Sequence, residues 1–379
     1  MTEKNAKPQL RFAGFDDTWE QRKFEDIAVR SSSISSESGL PRVEYEDIIS
    51  GTGRLNKDIF AKESDKTGIV FHKGDVLYGK LRPYLQNWLL PSFNGLAVGD
   101  FWVLQPQNAD SSFLYRLIQS RQFDEVANQS TGTKMPRSDW KLVSKTEFFI
   151  PSAIGEQAAI GAYFEQLDNL ITLHQRKYDK LTNVKKSMLE KMFPKNGSNV
   201  PEIRFKGFSD AWEQRKVRDV ANRYDNLRVP VAANLRVSGT TPYYGANGIQ
   251  DYVEGYTHEG EFVLVAEDGA NDLKNYPVKC VNGRIWVNNH AHVLQGKAKI
   301  TDNQFLAYSI NQADIESLLV GGSRAKLNAE TLMDIELTLP SLPEQQEIGT
   351  YLKHLDNLIT LHQRESTYFT GGFYAEQHK

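Results

Sequence analysis

The sequence predicts a mixed α/β chain with two α+β globular regions, which long coiled-coil helices separate and follow. Three observations support this fold class and an internal pseudo-two-fold repeat. They are a duplicated cap motif, a duplicated helical motif, and two dissimilar regions with strand and turn patterns.

The cap motif is Arg-Phe-x-Gly-Phe followed by Trp-Glu. Residues 8–23 contain it, and residues 201–216 repeat it with few changes. A long unit that occurs twice differs from a solenoid array, which stacks several repeats of about 20 to 50 residues. It indicates an internal pseudo-dimer, and such proteins commonly bind two-fold ligands such as duplex DNA.

The helical motif is residues 167–176, which recur without change as residues 355–364. Seven-residue spacing of apolar positions around the first copy predicts a coiled-coil helix. His174 and His362 fall at positions of this seven-residue pattern, which form the seam of a coiled coil. An isolated polar residue in such a seam more often sets the register than binds a metal. The second helix is predicted to be shorter, because Gly371 and Gly372 follow it.

The globular regions are predicted from short apolar runs bounded by turns. The first has strand patterns at 68–71 and 75–78 and a helical pattern at 112–126. The second has strand patterns at 261–266 and 284–287. Its predicted glycine turns are Gly255, Gly260, Gly269 and Gly283. Each region closes with a glycine-rich basic loop followed by a short helix and a strand.

The predicted domain boundaries follow from these patterns. They are 1–154 for the first globular region with its cap, 155–194 for the central long helix, 195–200 for a linker, 201–342 for the second region with its cap, 343–365 for the C-terminal coiled-coil helix, and 366–379 for a divergent tail.

Composition limits the class of protein. The chain has 379 residues, of which 40% are hydrophobic and 25% charged, as expected for a globular protein with two or three cores. Cys280 is the one cysteine, and the sequence has no apolar run long enough to span a bilayer. A soluble cytoplasmic protein with no membrane contact is expected. Because the net charge is −3, DNA binding would require locally placed basic residues.

The motifs together resemble the specificity subunit of type I DNA restriction-modification enzymes, over residues 9–364. The resemblance is carried by the two caps and by the Pro-Ser…Glu-Gln segments at 151–157 and 340–345. The segments 75–83 and 243–249 look like parts of target-recognition domains.

This resemblance implies a non-catalytic subunit with two target-recognition domains, each of which reads one half of a split double-stranded DNA site. An antiparallel helix pair would set the spacing of the halves. The implied partners are two methyltransferase (modification) subunits, which bind S-adenosylmethionine and methylate adenine, and restriction/translocase subunits, which use ATP and Mg. No cofactor is expected on this chain.

The residues themselves agree with a non-catalytic role. The sequence contains no phosphate-binding Gly-x4-Gly-Lys-Ser/Thr loop, no Asn-Pro-Pro-aromatic methyltransferase motif and no His-Glu-x-x-His. His290 and His292 are a conceivable metal pair, but no third ligand is evident, so packing or DNA contact is favoured. We therefore predict no catalytic or metal residues.

Candidate DNA contacts are basic, amide and tyrosine side chains in the predicted loops, because Arg or Lys pairs with guanine and Asn or Gln with adenine. They are Lys80, Arg82, Tyr84, Lys134, Arg137, Tyr243, Tyr244, Asn247, Asn271, Lys274, Arg324, Lys326 and Asn328. For each, a solvated surface or turn role is an equal alternative. The alternative for the whole chain is a coiled-coil scaffold with two protein-binding domains.

Overall fold

A computed structural model describes residues 8–62, 64–129, 135–195, 197–321 and 325–375, with residues 366–375 described by their backbone alone. The chain forms two compact units, one built on the chain up to Leu173 together with the C-terminal segment from Tyr368, and the other on His174–Thr367. The division falls inside a long helix. No helix in these described ranges is both long enough and apolar enough to cross a membrane.

The first unit combines short strands with short helices. Its strands are β1 (Glu20–Lys23), β2 (Ala28–Arg30), β3 (Ile34–Ser35), β4 (Arg42–Val43), β5 (Ile48–Ile49), β6 (Arg54–Leu55), β7 (Gly68–Phe71), β8 (Val76–Gly79), β9 (Trp88–Leu89), β10 (Gly95–Ala97), β11 (Phe101–Pro106) and β12 (Glu147–Ile150). Its helices are α1 (Phe24–Ile27), α2 (Ser111–Leu117), α3 (Arg121–Ala127), α4 (Trp140–Lys145) and the N-terminal part of α5 (Ile154–Met192).

The core of this unit lies between and beside two four-stranded sheets, in the orders β3-β7-β10-β4 and β2-β11-β8-β9. Strands β8 and β11 are antiparallel and place Tyr78 opposite Trp102. The two rings stack with centroids 5.5 Å apart and are almost fully buried. The cap strand β1 pairs with β12, the strand that precedes α5.

The helical pattern predicted at 112–126 forms two helices, α2 and α3. The reason is a new helix start at Ser120, whose hydroxyl accepts a hydrogen bond of 3.3 Å from the Phe123 N–H. A serine in this position satisfies one of the free N–H groups at a helix N-terminus.

The second unit is dominated by one sheet. Its strands are β13 (Glu213–Lys216), β14 (Ala221–Arg223), β15 (Ser238–Gly245), β16 (Gly248–Val253), β17 (His258–Ala266), β18 (Val278–Val287), β19 (Ala291–Gly296) and β20 (Glu336–Leu339). Its helices are α6 (Val217–Val220), α7 (Asn303–Asn311), α8 (Ala329–Asp334) and α9 (Leu342–Ala375), with the C-terminal part of α5.

This sheet has six strands in the order β14-β19-β17-β18-β15-β16, and β13 pairs separately with β20. Its two longest strands are longer than predicted, because Gly260 and Gly283 do not end them. These glycines lie opposite each other in the β17–β18 ladder with φ of 134° and 99°. Glycine tolerates such angles without leaving the sheet.

In the second unit, α5 and α9 run antiparallel. His174 of α5 lies beside His362 of α9, and farther along α5 the Lys185 Nζ is 2.5 Å from Asp356 Oδ1. Met192 at the end of α5 is buried in the same core as Ile348 near the start of α9. An apolar core therefore anchors one end of this helix pair.

The prediction that the C-terminal helix ends at residue 365 is wrong. The backbone of α9 stays helical to Ala375, through Gly371 and Gly372. A glycine inside a helix costs only about 1 kcal/mol relative to alanine. Because helix propagation is cooperative, the preceding turns of α9 extend across both positions.

Candidate nucleic-acid interface

A strained loop after β8 presents two of the predicted DNA contacts. Arg82 and Gln86 both adopt left-handed backbone conformations, with φ of 50° and 53°, on either side of the turn Pro83–Leu85. The Arg82 N–H donates a hydrogen bond of 2.7 Å to the Pro136 carbonyl. Non-glycine residues are uncommon in this conformation, so surrounding contacts must hold the loop. Arg82 and Tyr84 are both exposed in it.

Asp100 joins two further predicted contacts. Its carboxylate lies 3.5 Å from the Lys80 Nζ and 3.0 Å from a terminal nitrogen of Arg137. The hydrogen bond from Arg137 is the main reason why the pKa of Asp100 lies below its ordinary value. Strand-like pairing of Leu81 with Arg137 brings the two loops together. The structure therefore gathers Lys80 and Arg137 around one carboxylate, and the backbone of Arg82 is bonded to the loop that carries Arg137.

The basic loop of the first unit is described only in part. Predicted contact Lys134 lies outside the described residues. After it, the Ser138 N–H donates a hydrogen bond of 2.9 Å to the Lys80 carbonyl, which fixes the end of this loop beside β8.

Tyr243 and Tyr244 are unsuited to DNA contact, contrary to prediction, because β15 buries both side chains. Tyr243 is 1% exposed, and its hydroxyl accepts a hydrogen bond of 2.9 Å from the Val231 N–H. The Arg236 guanidinium lies 4.1 Å from the centre of the Tyr243 ring. Tyr244 is in the apolar core, and burial raises its pKa. Both tyrosines stabilise the second unit.

Asn247 and Asn271 contact each other and organise one edge of the second unit. The Asn247 side chain donates a hydrogen bond of 2.9 Å to the Gly269 carbonyl and accepts one of 2.9 Å from the Asn271 N–H. Lys274, another predicted contact, is exposed in the same loop, where its N–H donates to Asp272. Asn247 therefore positions the loop that carries Asn271 and Lys274.

Lys326 is tied to a polar cluster. Its Nζ is 2.9 Å from Glu267 Oε1, and the other oxygen of Glu267 is 2.7 Å from Arg228. Burial would raise the pKa of Glu267, but hydrogen bonds from these two cations outweigh it, so the pKa is lowered. Predicted contact Arg324 lies outside the described residues.

Asn328 occupies the position before α8 without capping it, since its side chain makes no capping hydrogen bond. Asparagine at this position normally bonds a free helix N–H. The exposed amide of Asn328 is therefore not committed to its own helix. Its role as a DNA contact stays a prediction.

His292 is a structural residue. It is 1% exposed, with Nδ1 2.7 Å from Asp225 Oδ2 and Nε2 2.9 Å from the Leu327 carbonyl. These two contacts fix the orientation of the buried ring. His290 is separately paired with Asp268. His290 and His292 therefore have separate partners, Asp268 and Asp225.

Sequence reasoning missed the residues that hold this cluster, Asp225 and Arg228. Asp225 accepts hydrogen bonds from His292 and from the Val293 N–H, and Arg228 pairs with Glu267. Burial would raise the pKa of Asp225, but the contact with His292, the hydrogen bond from the Val293 N–H and the nearby Arg228 together outweigh it, so the pKa is lowered. The partners are distant in the chain, so no motif in a single sequence links them.

The repeated cap motif forms the same ion pair in each unit. Arg11 donates two hydrogen bonds of 2.7 Å to the carboxylate of Glu156, and Arg204 donates two of 2.7 Å to that of Glu344. Both glutamates are 1% exposed. The caps are therefore attached to the starts of α5 and α9 by paired, bidentate contacts.

The repeated glutamines beside these glutamates hold the globular parts. Gln157 accepts a hydrogen bond of 2.9 Å from the Asp110 N–H, and Gln345 accepts one of 3.0 Å from the Asp302 N–H. Asp110 caps α2 and Asp302 caps α7. The Glu-Gln segments of the sequence are thus structural: each glutamate binds a cap, and each glutamine binds the backbone at a helix start.

The chain resembles known specificity subunits. It is 46% identical over 167 residues to the putative type I restriction enzyme specificity subunit S.HindORF215P of Haemophilus influenzae, covering 44% of this chain and 42% of that protein. It is 22% identical over 270 residues to the type I restriction enzyme MjaVIII specificity subunit of Methanocaldococcus jannaschii, covering 63% of this chain and 62% of that protein. These matches span less than two thirds of either relative's length.

The fold is similar to the crystal structure of the type I restriction-modification system S subunit from M. genitalium, with a TM-score of 0.69 and 13% identity. That match covers 96% of each chain. The family model for the type I restriction modification DNA specificity domain matches residues 16–183 and 209–367, one segment in each half of the sequence. This chain therefore belongs to the family of type I restriction modification DNA specificity domains.

Proposed function

We propose that this chain is the non-catalytic recognition subunit of a type I restriction-modification complex. The observation that carries the proposal is a repeated framework that holds two different globular parts. Arg11–Glu156 and Arg204–Glu344 recur with the same geometry, whereas the sheets attached to them differ. Common contacts suit identical partners, and dissimilar parts suit two different half-sites.

In this proposal, each globular part is a target-recognition domain that reads one half of a bipartite DNA site. The loops that carry Arg82 and Arg137 in the first unit, and Asn271, Lys326 and Asn328 in the second, supply the contacts. Arginine and asparagine suit guanine and adenine edges, and lysine suits phosphate. Local placement of basic groups explains how a chain with a net charge of −3 binds DNA.

The helices have the second role in the proposal. Helices α5 and α9 form an antiparallel coiled coil related by the internal pseudo-two-fold repeat, and they set the distance between the half-sites. Two methyltransferase subunits bind the repeated framework and supply S-adenosylmethionine chemistry. Restriction/translocase subunits supply the ATP- and Mg-dependent steps. The complex acts in the cytoplasm.

Exchange of one recognition domain tests this function. Replacing residues 217–335 by the matching segment of another family member keeps β13 and β20, which pair from Glu213–Leu339 to Lys216–Glu336. In a complex with the methyltransferase subunits, methylation should change at one half-site and stay unchanged at the other. The matched control replaces the segment between β1 and β12, which should change the opposite half-site.

A mobility-shift assay separates the proposal from its alternative. The chain with its methyltransferase partner should retard duplexes that carry the site and should not retard scrambled duplexes at the same salt concentration. A scaffold with protein-binding domains would not distinguish the two duplexes. The purified chain alone should transfer no methyl group from labelled S-adenosylmethionine, and transfer by the chain alone would contradict a non-catalytic role.

A further inference from the structure

Two histidines from the duplicated helical motif meet in the second unit, together with a glutamate. His174 Nδ1 of α5 lies 3.0 Å from His362 Nδ1 of α9. Glu365 Oε2 lies 2.7 Å from His174 Nδ1 and 3.3 Å from His362 Nδ1. The two histidines are 15% and 13% exposed and the glutamate 37%, so the three atoms converge at a partly shielded position.

Hydrogen bonding alone satisfies this arrangement poorly. A carboxylate oxygen only accepts hydrogen bonds, so the short contact to Glu365 requires a proton on His174 Nδ1. The same proton reaches His362 Nδ1, 3.0 Å away, only as a bifurcated hydrogen bond. If His362 Nδ1 is protonated as well, both N–H groups point to Glu365 Oε2 while their nitrogens lie only 3.0 Å apart. The three atoms are therefore crowded around one position in either protonation state.

A metal ion resolves this conflict, because all three atoms can direct a lone pair to it. Zinc binds histidine nitrogen and carboxylate oxygen at about 2.0 to 2.2 Å in tetrahedral geometry, which separates ligand atoms by about 3.3 Å. The observed separations are 2.7, 3.0 and 3.3 Å. Movement of about half an ångström would bring the three atoms to that spacing.

We propose that His174, His362 and Glu365 bind a zinc ion that links α5 to α9. Two imidazoles and one carboxylate fit zinc, and the fourth position is left for water. The ion would hold the two copies of the helical motif in one register, at a distance along α5 from the apolar core around Met192.

A second cluster of described residues, Asp225, Glu267 and His292, also offers a suitable ligand set. Its side chains, however, already have protein partners. Protein cations already neutralise its carboxylates, since Arg228 lies 2.7 Å and Lys326 2.9 Å from Glu267. Both ring nitrogens of His292 also have protein partners already, Asp225 and the Leu327 carbonyl. A metal ion there would have to displace these groups, so we assign zinc binding to the His174 cluster.

Zinc titration of the full-length, untagged chain tests the proposal. After removal of metals with a chelator, the chain should bind one high-affinity equivalent of Zn²⁺ in competition with a chromophoric chelator. His174→Gln and His362→Gln should each weaken this binding at least about tenfold, because even loss of an outer-shell partner costs about 10- to 100-fold. The matched control is His354→Gln, which replaces an exposed histidine of α9. This variant should bind zinc as tightly as the wild type.

Cobalt supplies a second readout. Co²⁺ in the wild-type chain should give the intense visible absorption of a tetrahedral site, and Glu365→Gln should weaken it even if a histidine variant folds poorly. Circular dichroism of the metal-free variants checks that helicity is retained. Equal zinc affinity in His362→Gln and His354→Gln, or no stoichiometric binding by the wild type, would overturn the proposal.

Discussion

Arg204 donates two hydrogen bonds of 2.7 Å to Glu344, and this carboxylate is almost fully removed from solvent. Arg215 approaches Glu213 to the same 2.7 Å, but on the surface, where the two side chains are 46% and 69% exposed. Distance is equal in the two ion pairs and burial is not. Their contributions to stability should therefore differ.

Arg204→Ala should lower the free energy of unfolding of the second unit by about 3 kcal/mol, because it leaves Glu344 charged and unpaired in a buried position. Arg215→Ala should lower it by less than about 1 kcal/mol, as for other exposed pairs. Urea unfolding followed by tryptophan fluorescence measures both values. Equal losses in the two variants would mean that burial does not increase the contribution of the Arg204–Glu344 pair to stability.

Acid should destabilise the second unit through Asp225 and Glu267. Both have a lowered pKa in the folded protein, so their stabilising effect is complete above the ordinary carboxyl range and is lost as the pH falls through the folded values. Urea midpoints should fall steeply below about pH 4.

Asp225→Asn should lower stability at pH 7 by about 3 kcal/mol, because His292 and the Val293 N–H contact different oxygens of Asp225 and an amide replaces one of these oxygens by an NH2 donor. The difference in stability from the wild type should narrow as the pH falls and the wild-type carboxylate takes up a proton. The exposed Asp334→Asn serves as the control and should change the acid-induced loss of stability less, because solvent screens its ion pair with Lys216. A constant difference at all pH values would exclude titration of Asp225 as the cause.

Arg82→Ala should weaken DNA binding by the assembled complex by about 1 to 3 kcal/mol. If Arg82 contacts a base, specificity at one position should relax; if it contacts phosphate, the loss should be uniform and the salt dependence shallower. Arg121→Ala, an arginine paired with Glu125 on α3, is the control and should bind normally. Binding titrations at several salt concentrations provide the measurement.

Inserting one heptad after His174 in α5 and one before His362 in α9 should lengthen the helix pair by about 10 Å while keeping the seam. The gap between recognised half-sites should then grow by about three base pairs at 3.4 Å each. Insertion in α5 alone is the control and should reduce activity, since it breaks the register with α9. Methylome sequencing reads the gap directly. An unchanged gap with full activity would assign spacing to other parts of the complex.

Local patterns predicted much of the fold. The heptad pattern placed α5 within one or two residues of Ile154–Met192, and the strand predicted at 68–71 matches β7. These signals are local, because each depends on periodicity over a few neighbouring residues. The end of α9 was missed since helix propagation overrides the low propensity of Gly371 and Gly372.

The candidate interface was harder to predict, because residue type does not report burial. Tyr243 lies in a segment that looks like a recognition loop, yet its ring packs inside the sheet. Asp225 and His292 meet only after β14 and β19 pair, and no local pattern encodes that contact. Lys80 and Arg137 were identifiable from sequence, but their shared contact with Asp100 was not.

Gln157 and Gln345 hold the two globular parts through a peptide N–H, a group that every residue except proline carries. The contact therefore requires no particular side chain in the domain that it secures. A gene-conversion or recombination event can install an unrelated domain, provided that a helix begins at the right place. A domain with different binding preferences can therefore be accommodated without compensating substitutions in the shared caps and helices.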